Sequence, residues 1–112
     1  MKVNVKRAFI AEMDSAQQLY EQGQFTKAFF HLERAHILGQ AYVIPHTQSH
    51  WWMLKVGLKT HDAREVLGQI PRMLASVIFS RIWVPVGNTG GAKVSPFEPM
   101  AIPEDLKAIL QK

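Results

Sequence analysis

The chain has 112 residues, a formal charge of +4 and no cysteine. That length suits one domain, 1–112, with a core of its own, and the missing thiols exclude a disulfide framework and any thiolate metal site. Lysines and arginines are scattered in ones and twos, so no basic arm for nucleic acid is present.

The N-terminal stretch MKVNVKRAFIAEMD lacks the unbroken apolar run of a signal peptide. The most apolar segment, MLASVIFSRIWVPV (73–86), is interrupted by Arg81 and too short to span a bilayer. The expectation is a soluble, cytoplasmic protein without membrane or nucleic-acid partners.

A first helix is predicted from about Val5 to Gln22, with Phe9, Met13, Ala16, Leu19 and Tyr20 at helical spacing and Gly23 as its stop. A second begins at Phe25 and ends at Gly39. Pro45 suits the first turn of a third that runs to about Lys59. Asp62 followed by Glu65 reads as a capping box opening a fourth, which runs to about Trp83 with a kink at Pro71. Helices joined by turns this short form an antiparallel all-α array over residues 5–84.

Gly23, Phe25, Ala28, Leu32, Ala35 and Leu38, with Leu19 before them, resemble the small and large positions of a tetratricopeptide repeat. The glycine makes the turn and the alanines allow close helix approach. Residues 46–75 resemble a weaker second copy through Val66, Ile70 and Met73. Two copies fall short of the three or so that stacked repeats need, so the likeness concerns architecture alone.

From 85 to 103 the chain, PVGNTGGAKVSPFEPMAIP, has neither helical nor strand period and reads as an extended Gly/Pro-rich segment. "GNTGG" lacks the Lys-Ser/Thr of a P-loop and follows a helix, so a turn is the better reading. Phe97 and Met100 are its expected anchors. Pro103, Glu104 and Asp105 open a short C-terminal helix over 103–111, acids at the favourable end.

LERAHILGQ, the H-x-x-x-H before WWML, GQIPR, PVGNTGG and the later EPM together resemble a small bacterial family known as domain of unknown function 3703. The resemblance covers nearly the whole chain. It implies no established activity. Genes of that family tend to lie beside heavy-metal efflux and resistance genes, which implies a metal-related setting.

Four of the five histidines, His31, His36, His46 and His50, crowd the turn between helices two and three. On a wheel of about 100° per residue, Phe25, Ala28, Phe29, Leu32 and Ala35 define the buried arc of helix two. His36 falls near the middle of that arc, Glu33 on its edge, and His31 on the far edge. In helix three His46 and His50 are four apart and share a face with Met53 and Gly57. Trp51, Leu54 and Leu58 form another apolar stripe, so most of helix three reads as buried. Across an antiparallel hairpin His36, His46 and His50 can meet.

Such a set offers three nitrogens to a divalent ion such as zinc, with Glu33 or water as the fourth donor. Met53 would suit a softer ion such as Cu(I), and His31 stands as a further candidate. Affinity should fall as pH drops through about 6, where free imidazole protonates. Against this stands a purely structural cluster, since buried histidines often simply donate to carbonyls. The E-x-x-H at Glu33 and His36 occurs once, whereas a di-iron bundle needs it twice with two more glutamates. Glu65, Gln69 and Arg72 share a face of helix four as an ordinary polar network. No complete catalytic set is present.

Two functions follow from these residues. One is a small metal-binding protein for sequestration, sensing or resistance, holding a zinc-class or copper ion at His36, His46, His50 and Glu33. The other is a tetratricopeptide-like module that binds another protein through its tail or a helix surface, its histidines being structural.

Overall fold

The computed structural model describes residues 1–79, 88–93 and 99–111. These form α1 (Val3–Glu21), α2 (Phe25–Gly39), α3 (Val43–Thr60), α4 (Ala63–Phe79) and α5 (Glu104–Gln111), with no strand among the described residues. Helix α1 packs on α2, α2 on α3 and α3 on α4, while α5 lies against α1 and α2. The expected end of helix four near Trp83 and the anchor Phe97 lie outside the described residues; Met100 is half-buried.

Two helices end in the same hydrogen-bonded turn. After α1, Gly23 N–H donates to the Tyr20 carbonyl and Gln24 N–H to that of Leu19, and Gly23 holds the left-handed φ of 75° that this Schellman motif needs. After α3, Asp62 N–H donates to the Gly57 carbonyl at 2.9 Å, and the left-handed residue is His61, φ 56°. His61 is exposed there. Helix α3 begins two residues ahead of Pro45, so the proline sits where its missing N–H costs nothing.

The apolar core cluster is built from α1, α2, α3 and α5. Val5, Phe9, Met13 and Ala16 of α1 meet Ala28, Leu32 and Ala35 of α2, and Met53, Val56 and Leu106 close the cluster. Ala28 and Ala35 are fully buried, which fits their role as points of close approach. Tyr20 stands edge-on to Phe25 and to Trp52, at centroid distances of 5.6 and 5.4 Å. Arg34 ties the ends together, binding Glu12 of α1 and Asp105 of α5.

Helix α3 differs from expectation on one side. Leu54 is buried, but Trp51 is 50% and Leu58 57% exposed, and Ile70 of α4 is also exposed. The stripe through Trp51 and Leu58 points away from α2, because α3 turns its histidine face inward instead.

Candidate metal centre

The face that α3 presents to α2 carries His46, Ser49, His50 and Met53 at the i, i+3, i+4, i+7 positions of a helix stripe, all buried. His36 reaches the same place from the last turn of α2 and is 4% exposed. The three rings form a triangle with centroid separations of 4.7, 4.7 and 4.9 Å. One ligand nitrogen from each lies within 4.8 Å of the others, the one such group of three metal-ligating residues among the described residues.

Hydrogen bonds fix the tautomers of two rings. His36 Nδ1 donates to the Asn88 carbonyl oxygen at 2.7 Å; that oxygen can only accept, so the proton sits on Nδ1 and Nε2 keeps its lone pair. His50 Nδ1 donates to Gln69 Oε1 at 2.6 Å. The Gln69 amide has one orientation, because its Nε2 donates to Glu65 Oε2 at 2.8 Å and to the Gly90 carbonyl at 3.0 Å. His50 Nε2 is therefore also a bare lone pair. His46 Nε2 lies 3.0 Å from the His36 Nε2 lone pair and donates to it.

Burial keeps all three rings neutral. It lowers the pKa of His36 well below 6.5, with the charges of His50, His46 and Arg72 adding to the effect. Burial likewise lowers His46 to about 4 and, with the repulsion of His46, His50 to about 3. Neutral imidazole is the ligating form. The loss of affinity expected near pH 6 therefore moves to lower pH, because water no longer stabilises the imidazolium.

The segment 88–92 closes over the trio. Gly90 holds a φ of 83°, and a Cβ there would stand 2.5 Å from His36 Cδ2, so the position accepts only glycine. Asn88 Oδ1 accepts from Gly90 N–H at 2.9 Å, and Glu65 Oε1 accepts from Ala92 N–H at 3.0 Å. Glu65 is thus half of the expected capping box only through its backbone, which donates to Asp62 Oδ1. Its side chain serves Gln69 and the loop, and links α4 to the site.

The remaining candidates take separate places. Glu33 hydrogen-bonds Thr89, and burial together with the charge of Glu65 raises its pKa. It is not one of the three converging side chains. His31 binds Glu12 across α1 at 2.7 Å. Met53 is fully buried and belongs to the apolar core cluster. Asn88, Gly90 and the support given by Gln69 to His50 were not legible as parts of a site. The sequence signals were a Gly-rich turn and the shared polar face of Glu65, Gln69 and Arg72 on α4.

No helix among the described residues is long and apolar enough to cross a membrane. No curated protein and no solved structure shows a significant match to the chain. The family described as "Protein of unknown function (DUF3703)" matches residues 3–110, and the chain belongs to it.

Proposed function

We propose that this member of the DUF3703 family is a small cytoplasmic metal-binding protein that holds one zinc-class or copper ion between His36, His46 and His50. It would act in sequestration, in sensing, or as an accessory to metal resistance. The observation that carries this reading is the pair of Nδ1 bonds to Asn88 and Gln69. Metal-ligating histidines characteristically donate their second ring N–H to a carbonyl or carboxylate, which orients the ring and strengthens the ligating nitrogen. Here that outer shell is complete for two ligands, and the Glu65 carboxylate stands behind Gln69. Glu33 remains the protein's candidate for a fourth donor, with water as the alternative. A bound ion would supply charge to the trio; the chain supplies neutral, oriented donors and excludes solvent.

The short turns after Glu21, Gly39 and Thr60 support an antiparallel arrangement of α1 to α4, with tetratricopeptide-like hairpins as its architecture. A second functional reading is an interaction module with structural histidines. Its support is that His36, His46 and His50 each have a hydrogen-bond partner without metal.

Zinc and Cu(I) titration of purified, untagged protein, read by native mass spectrometry, separates the two. The metal reading expects about one ion per chain, strongly weakened binding in His46→Ala and His50→Ala, and parental affinity in His31→Ala and His61→Ala. Metal-free protein after loading, or equal affinity in all four variants, would sink it.

A further inference from the structure

Helices α3 and α4 expose an apolar face that the described residues leave uncovered. Ile44, Trp51 and Leu58 repeat every seven residues on α3 and are 69, 50 and 57% exposed. On α4, Leu67, Ile70, Leu74 and Val77 follow a 3-4-3 spacing and are 70, 45, 64 and 57% exposed. These are the seam positions of helices that pack on further helices. Since α3 and α4 pack together, the two seams form one surface. Between them runs a groove of about 390 Å³ lined by Val43, Ile44, Thr47, Trp51, Met73 and Val77.

We propose that this face is the interface of a homodimer, covered by the same face of a second copy. Seven half-exposed side chains of this size present on the order of 600–700 Å² of apolar surface. A stable interface takes about 800 Å² from each partner, so the patch and its rim match the requirement. Single apolar patches of this size are unusual on a monomer.

Charge points to a second copy as the occupant. The one acidic residue in α3 and α4 is Glu65, which is buried beneath the other side of the pair. The surface therefore offers no acid to select a basic partner and none to repel its own copy. The exposed bases Lys59 and Arg64 lie at the turn between the helices, at one end of the face. A two-fold axis that reverses the copies places these bases at opposite ends of the interface. Trp51, near the centre of α3, then fills the partner's groove, as aromatic anchors do in homodimers.

Sedimentation equilibrium of the full, metal-free chain tests this. The expected result is a particle of twice the 12.7 kDa chain mass at tens of micromolar. Leu67→Lys with Leu74→Lys should weaken dimerisation by roughly 100-fold or more, because each buries unpaired charge at the contact, while helical circular dichroism stays unchanged. Ile44→Lys with Leu58→Lys repeats the test from α3, so a loss of folding in one pair leaves the other to decide. A parent that is monomeric at about 100 µM overturns the proposal. So does either folded double variant that dimerises as tightly as the parent.

Discussion

Gly90 lies flat against the His36 imidazole, so close that a methyl group in place of its hydrogen would stand 2.5 Å from Cδ2 and 2.7 Å from Nε2. The loop that supplies His36 with its Asn88 acceptor is thereby also the loop that seals the ring from water. Positioning and burial of this imidazole are one structural fact.

Gly90→Ala tests that coupling. The alanine must leave its left-handed φ or push the imidazole aside, at a cost of about 1–3 kcal/mol. Thermal unfolding should show the loss. Zinc titration should show a weaker site than in the parent, since His36 can no longer keep both the Asn88 bond and its place in the triangle. An alanine variant with parental melting temperature and affinity would mean that the loop is not docked on His36.

Gln69→Leu removes the acceptor from His50 Nδ1 without touching a ligand. The freed ring loses its fixed tautomer, and metal affinity should drop by about 10- to 100-fold, the usual effect of deleting an outer-shell partner. Isothermal calorimetry measures it. If stability falls while affinity holds, the bond is structural alone.

Acid should unfold the metal-free protein earlier than its carboxylates explain. The unfolded imidazoles take up protons near pH 6.5, whereas folded His46 waits until about 4 and folded His50 until about 3. Over that interval the unfolded state binds more protons. Stability is therefore full above pH 6.5 and falls toward pH 4 and 3, by about 1.4 kcal/mol per pH unit for each buried imidazole. Urea unfolding at pH 7.5, 6 and 5 checks the slope. Metal affinity of the folded protein should stay flat from pH 8 to about 6, because the ligands are already neutral.

His61→Gly should stabilise the protein by about 0.5–1 kcal/mol, since glycine adopts the left-handed turn after α3 without the Cβ penalty. Chemical denaturation reads the change. Metal binding should be untouched, as His61 is exposed at the helix end. A loss of affinity in this variant would place a ligand where the geometry has none.

Helix positions, their stops and the inward face of α2 were determined by local sequence. Gly23, the Asp62 cap and the spacing of Phe9, Met13, Ala28 and Ala35 act within one or two turns, and the structure keeps them. Periodicity also put His36, His46 and His50 on facing surfaces, because four-residue spacing and a shared turn leave few alternatives. It also read the stripe through Trp51 and Leu58 as buried, and the exposure of both shows that only the histidine stripe of α3 faces inward. Nor could it place Asn88 and Gly90, which lie 52 and 54 residues from His36, or turn Glu65 and Gln69 from a helix-surface pair into a buried relay to His50. Those choices belong to tertiary structure. A buried imidazole needs a partner for its second nitrogen, and only the packed arrangement of α2, α3, α4 and the 88–92 loop brings a carbonyl oxygen to each site that requires one.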